Sequence, residues 1–128
     1  MTEEKNVVVV LTTGKSDNGK NATMAFSCAL SAIAMGHPTI VFLTSDGAVW
    51  GFSRSADGIT VQGFPPLADL LNRYLDSGGR LLLCSVCHRT CGLGSIEDGS
   101  DDGKVPSAEI AGFASVIELA TNGTCITF

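Results

Sequence analysis

The stretch Asn6-Val7-Val8-Val9-Val10-Leu11-Thr12 decides the fold class of this chain. Its apolar residues follow one another without polar alternation and are mostly β-branched, which is typical of a strand covered on both faces. Residues 39–44 (TIVFLT) and 80–84 (RLLLC) have the same character. Strands buried on both faces occur in parallel sheets, because the helices that connect such strands lie on the faces of the sheet. These segments therefore predict a sheet that is mostly parallel.

Helical segments separate the strands. Periodic apolar side chains and the positions of Gly and Pro predict helices over residues 20–35, 65–77 and 106–120, with further short strands at residues 59–61 and 124–128. Alternating strands and helices imply right-handed βαβ units. We predict one α/β domain over residues 1–128, with a mostly parallel sheet of about five strands and helices on both faces.

Composition excludes several classes of protein. Hydrophobic residues make up 45% of the 128 residues and charged residues 16%, which is unlike a disordered chain. The net charge of −5 and the scattered bases argue against direct binding of nucleic acid. The longest apolar run falls far short of the roughly 20 residues that span a bilayer, and the acidic start differs from a signal peptide. We therefore expect a cytoplasmic protein, and the low charge favours an oligomer interface.

One segment concentrates the reactive side chains. The run Cys84-Ser-Val-Cys87-His88-Arg89-Thr-Cys91-Gly92 holds three of the five cysteines. If a helix begins directly after Cys84, the amide N–H groups of its first turn and the nearby Arg89 favour the thiolate form of Cys84. Cys87 and Cys91 are spaced to share one helical face. We expect Cys84 to be exposed at a strand end, with His88 and Arg89 in support.

Two further positions fall at the same edge of the predicted sheet. Gly14 and Asp46 follow the first two strands, and ligands of such folds gather beyond the carboxyl ends of the strands. They are candidate supporting residues. Cys28 and Cys125, in contrast, are expected to be small buried hydrophobes of the core.

Alternatives remain open for the cysteine cluster. Cys84, Cys87, His88 and Cys91 are potential ligands of zinc or an iron–sulfur cluster, although adjacent ligands point apart and the second ligand pair typical of structural zinc is missing. A reversible Cys84–Cys87 disulfide would make the protein a thiol switch. Thiol chemistry at a nucleophilic or sulfur-carrying cysteine is the leading hypothesis at this point, and it requires no metal and no cofactor.

The chain resembles the DsrE/DsrF-like sulfur-relay family, small proteins that include sulfur-transfer subunits of tRNA 2-thiouridine synthesis and of dissimilatory sulfur oxidation. The resemblance rests on residues 7–11 followed by Thr12-Thr13-Gly14, Met35-Gly36-His37, residues 41–47, Pro65-Pro66-Leu67, Leu83-Cys84-Ser-Val-Cys87, Cys91-Gly92-Leu93 and Ile126-Thr127-Phe128.

The resemblance implies a compact α/β domain that assembles as trimers or hexamers. It implies that Cys84 carries sulfane sulfur as a persulfide and exchanges it with donor and acceptor proteins. The scattered bases and the short apolar runs in turn predict no direct contact with nucleic acid or a membrane. Cys87 matches a second cysteine of unassigned role. Cys91 stands where family members often have arginine, and this adds a third thiol to the candidate site.

Overall fold

The computed structural model of the protein describes residues 5–86 and 104–128. The chain forms β1 (Asn6–Leu11), α1 (Lys20–Ala34), β2 (Thr39–Leu43), α2 (Leu67–Asp76), β3 (Arg80–Cys84), β4 (Ala108–Ala111), α3 (Phe113–Thr121) and β5 (Gly123–Thr127). Short 3₁₀ helices follow β1 at Lys15–Asp17 and β2 at Ser45–Gly51. No helix within the described residues is long and apolar enough to cross a membrane.

The strands form one parallel sheet of five strands in the order β4-β3-β2-β1-β5. Val9 and Leu11 point to one face, where α1 and α2 cover them in the larger core cluster. Val8 points to the other face and shares a smaller cluster with Val116 of α3. The predicted α/β architecture with helices on both faces is therefore confirmed.

Two sequence predictions about the smaller elements are wrong. Residues 108–111 form a strand, so the last helix begins at Phe113 rather than at residue 106. The residues pair with β3 from Leu81↔Ala108 to Cys84↔Ala111, and this distant pairing overrides the local helical pattern. Residues 59–61 are not a strand. The Ile59 carbonyl accepts a hydrogen bond from the Leu67 amide (2.9 Å) at the start of α2, so this segment joins the helix rather than the sheet.

The two cysteines assigned to the core differ in burial. Cys28 is half-buried and packs against the larger cluster. Cys125 is exposed, so its assignment to the core was wrong. The reason is its place on β5, which ends the sheet beside β1. A strand in that position has a neighbour on one side only.

Tyr74 of α2 ties the helix to the starts of two strands. Its buried hydroxyl lies 3.1 Å from the carbonyl oxygen of Thr39 and 2.5 Å from that of Arg80. Burial of the phenol raises the pKa of Tyr74 well above its ordinary value, so the group stays a donor. A Cβ on Gly79 would lie 2.3 Å from the Tyr74 ring, so this position has no space for a side chain.

Replacing Tyr74 by Phe should lower the free energy of unfolding by about 1–3 kcal/mol, because the carbonyl oxygens of Thr39 and Arg80 lose the hydroxyl donor that they share. Urea titration of both proteins measures the difference. Tyr74 pairs edge-on with the ring of Phe26, and Phe keeps that contact. An unchanged midpoint would show that the hydroxyl contributes nothing to stability.

A pair of charges fastens the short edge strand β4 to β3. The Arg80 guanidinium donates two hydrogen bonds to the Glu109 carboxylate, at 3.2 and 3.1 Å. The hydrogen bond from Arg80 holds the pKa of Glu109 below its usual value. Both side chains are about half exposed, at 48% and 52%, so solvent screens the pair.

The contribution of this pair should depend on pH. Because the pKa of Glu109 is lower in the folded state, its stabilisation is present above the pKa of the unfolded chain and is lost as the pH falls through the folded value. Glu109→Gln should therefore cost less than about 1 kcal/mol at neutral pH and almost nothing in acid. Urea titrations at several pH values test this, with Glu118→Gln on α3 as the matched control. A cost that persists in acid would contradict the prediction.

Candidate functional site

Three of the predicted site residues follow neighbouring strands at one edge of the sheet. Cys84 ends β3, Asp46 lies just beyond β2, and Gly14 lies just beyond β1. Because the strands are parallel, their carboxyl ends meet at the same edge, about 4.8 Å apart from strand to strand. The structure thus brings the ends of three chain segments together, as expected for this fold class.

The backbones that follow β1 and β2 are in direct contact. A Cβ on Gly14 would lie 2.6 Å from the carbonyl oxygen of Asp46. A Cβ on Gly47 would lie 2.1 Å from the carbonyl oxygen of Leu11. The Gly47 amide donates to the Thr12 carbonyl (3.1 Å), which closes the contact. Gly14 is therefore required for packing, whereas the Asp46 side chain is exposed beside it.

Trp50 and Asn21 hold the loop after β1. The indole N–H of Trp50 donates to the Thr13 carbonyl (2.9 Å), and the Asn21 side chain donates to the Thr13 hydroxyl (3.0 Å). The ammonium of Lys15 lies 5.9 Å from the centre of the Trp50 ring, within range of a cation–π interaction. Sequence reasoning missed these roles, because a lone Trp in an irregular segment does not reveal which backbone group it reaches.

Ser45 is a second feature that sequence reasoning missed. Its φ of 54° lies in the left-handed region, where a non-glycine residue costs of order 1 kcal/mol. The residue is exposed at the point where β2 turns into the 3₁₀ helix Ser45–Gly51. This turn places Gly47 in contact with the end of β1 and directs Trp50 into the core. Ser is not a residue type that signals positive φ, so no sequence pattern could have indicated it.

The expected exposure of Cys84 is wrong, since the residue is only 2% exposed. Alternation along β3 directs Leu81 and Leu83 to the face of the larger cluster and places Cys84 in the smaller one. There it belongs to the same cluster as Phe42 and Val116. The residues that follow, Ser85 and Val86, are helical, in agreement with the predicted start of a helix after Cys84.

The first turn of α3 begins beside Cys84. Ala111, the neighbour of Cys84 in the adjacent strand, is followed by the N-cap Gly112 and by α3. Phe113 at the start of α3 contacts the ring of Phe42, with centroids 5.9 Å apart. The N-terminus of a helix carries partial positive charge, which favours a thiolate nearby, whereas burial opposes it. The sequence reasoning missed this neighbour because it started the helix at residue 106.

The rest of the cysteine cluster lies outside the described residues. Cys87, His88, Arg89 and Cys91 belong to residues 87–103, and their predicted roles stay predictions. Within the described ranges, no group of three or more His, Cys, Asp or Glu side chains is arranged to hold a metal ion. The alternative of a metal bound by Cys84 and its neighbours therefore also stays a hypothesis.

Replacing Gly47 by Ala should lower the free energy of unfolding by about 1–3 kcal/mol, because the added methyl group overlaps the Leu11 carbonyl. Gly112→Ala is the matched control, since a Cβ there meets nothing within 4 Å. Thermal and urea unfolding of the two variants give the comparison. Equal effects of the two substitutions would contradict the requirement for close approach at Gly47.

Comparison with known proteins agrees with this architecture. The model of the DsrE/DsrF-like family matches residues 5–128. An uncharacterized protein of Methanocaldococcus jannaschii is 26% identical over 109 residues, which is 84% of this chain and 39% of that protein. The chain thus spans about two fifths of the length of this relative.

A solved structure shares the fold. The crystal structure of the YchN protein from E. coli superimposes with a TM-score of 0.71, covers 98% of this chain and 100% of YchN, and is 15% identical in sequence. With the match over residues 5–128, the chain belongs to the DsrE/DsrF-like family.

Proposed function

We propose that this protein is a sulfur carrier that holds sulfane sulfur as a persulfide on Cys84 and passes it to an acceptor protein. The observation that carries the proposal is the place of Cys84. It ends an inner strand at the carboxyl edge of the sheet, beside the first turn of α3 and in a chain of the DsrE/DsrF-like family. The carboxyl edge is where folds of this class place their chemistry.

The transfer balances without an external oxidant or reductant. The Cys84 thiolate attacks the outer sulfur of a donor persulfide, a new S–S bond forms on Cys84, and the donor leaves as a thiolate. Delivery is the same reaction in reverse order, with an acceptor thiolate attacking the outer sulfur on Cys84. Cys87 and Cys91, three and seven positions further along the chain, are the proposed thiols for the next step. In a relay, the thiolate of one of them attacks the outer sulfur and Cys84 leaves as a thiolate. If it attacks the inner sulfur instead, hydrosulfide leaves and a disulfide forms, which a dithiol must reduce before Cys84 can accept sulfur again.

Burial of Cys84 bears on how sulfur would be exchanged. A side chain that is 2% exposed in an apolar cluster is poorly accessible to small thiols in solution, which protects a persulfide from unwanted exchange. Loading then requires a local opening of the structure, and a donor protein that stabilises the open form accelerates it. This favours protein donors and acceptors over free small molecules.

The proposal includes assembly as a homo-oligomer in the cytoplasm. Phe113 and Ile117 of α3 are 60% and 66% exposed, although both are large and apolar. Such residues on one short helix are typical of a surface that a protein partner covers. The net charge of −5 favours contact with proteins over direct contact with nucleic acid.

Intact mass measurement after incubation with a donor protein that carries a cysteine persulfide tests the proposal. We expect the Cys125→Ser variant, which lacks the one exposed thiol among the three cysteines that the structure describes, to gain the mass of one sulfur atom and to lose it on reduction. The double variant Cys84→Ser/Cys125→Ser should gain nothing. Equal loading of the two variants, or no loading of either, would contradict the proposal.

Metal analysis tests the alternative. Stoichiometric zinc or iron in protein purified without chelator would favour the metal alternative.

A further inference from the structure

The outer edge of β5 presents backbone groups that β1 does not bind. The Phe128 amide donates to the Val10 carbonyl (2.7 Å), and the Thr12 amide donates to the Phe128 carbonyl (2.9 Å). Since alternate residues of a parallel strand face the same neighbour, residues 124, 126 and 128 bond to β1. Gly123, Cys125 and Thr127 therefore direct their N–H and C=O groups away from the sheet.

This edge lacks the features that normally protect an edge strand. Natural proteins place charges, prolines or bulges on exposed edges to prevent pairing with another chain. At the opposite end of the sheet, β4 is four residues long and carries Glu109 in its ion pair with Arg80. In contrast, Gly123–Thr127 contains no charged residue and no proline in a chain of net charge −5.

An apolar surface lies next to β5 on the side of the sheet that α1 covers. A groove of about 240 Å³ runs between α1 and β5 and is lined mainly by apolar side chains, among them Val7, Met35 and Ile126. Met35 is 74% exposed, which is unusual for a large apolar side chain. A chain that pairs with β5 would bury part of this surface in addition to the backbone groups.

We propose that the outer edge of β5 pairs with β5 of a second copy of this chain, in antiparallel orientation about a two-fold axis at Cys125. A two-fold axis places each central residue opposite itself, so a charged edge would repel its own copy. The neutral sequence of β5 avoids that repulsion, and this argues for a second copy over a charged partner. The proposal does not depend on sulfur transfer at Cys84.

The geometry gives Cys125 a defined neighbour. Cys125 is the central residue of Gly123–Thr127, and its N–H and C=O both point outward. Two such residues exchange both hydrogen bonds, which places their Cα atoms about 5.5 Å apart. Gly123 then lies opposite Thr127 of the second copy, and the two sheets join into one continuous sheet.

Cross-linking at Cys125 tests the contact. In a variant with Cys28, Cys84, Cys87 and Cys91 replaced by Ser, dibromobimane can join only two copies of Cys125, each thiolate displacing one bromide. We expect a fluorescent covalent dimer and no larger product. Absence of the dimer at a concentration where the protein is oligomeric, or a protein that stays monomeric at every concentration reached, would overturn the proposal. Attachment of Cys125 to a different polypeptide would also overturn it.

Substitutions at the edge separate backbone pairing from chance proximity. Thr127→Pro removes an outward N–H and leaves the bonds to β1 intact, whereas Thr127→Val keeps that N–H. We expect Thr127→Pro to lower the yield of cross-linked dimer at least about tenfold, because it removes a hydrogen bond from each of the two symmetric copies. Thr127→Val should leave the yield unchanged. Equal yields in two variants with cooperative thermal unfolding would refute pairing through the strand edge.

A charge at the axis provides a second measurement that does not use the cross-linker. Cys125→Glu places two carboxylates opposite each other, whereas Cys125→Ser is neutral and of similar size to the native residue. Sedimentation velocity should show that Glu halves the mass of the assembly and Ser does not. An unchanged mass for Glu would overturn the two-fold arrangement. Loading of Cys84 with sulfur is measured separately, so the two proposals can fail independently.

Discussion

β1, β2 and β3 are covered on both faces of a parallel sheet, and this burial dictates where the other elements lie. Their backbone groups are out of reach of water and must bond to each other, so the strands lie in register. Both faces must then be covered by helices, and the connections between parallel strands supply them. The same geometry gathers the carboxyl ends of all three strands at one edge of the sheet.

The candidate site depends on the meeting of the carboxyl ends of β1, β2 and β3 and on close packing between the segments that follow β1 and β2. Gly14 and Gly47 allow the segments after β1 and β2 to touch, and Trp50 fixes the loop above α1. Cys84 itself lies in the apolar cluster on the sheet face that α3 covers, and its side chain is only 2% exposed.

The two edge strands of the sheet, β4 and β5, differ in how readily they could pair with another chain. At β4, the Arg80–Glu109 pair and the short length of the strand limit further pairing. At β5, neutral residues and backbone groups that β1 does not bind favour it. The proposed chemistry lies at the carboxyl ends of the inner strands, whereas the proposed assembly uses the outer side of β5. These are different parts of the sheet, so the fold keeps the two functions apart.

Local signals are enough to predict the α/β class, the three inner strands and the position of Cys84 at a strand end, because continuous β-branched runs and Gly or Pro stops can be recognised without the fold. Three outcomes became visible only once the chain was folded: residues 108–111 form a strand, Cys84 is buried and Cys125 is exposed. Those outcomes depend on which strand lies beside which and on where α3 crosses the sheet. Contacts between residues far apart in the chain set them, and no local pattern encodes such contacts.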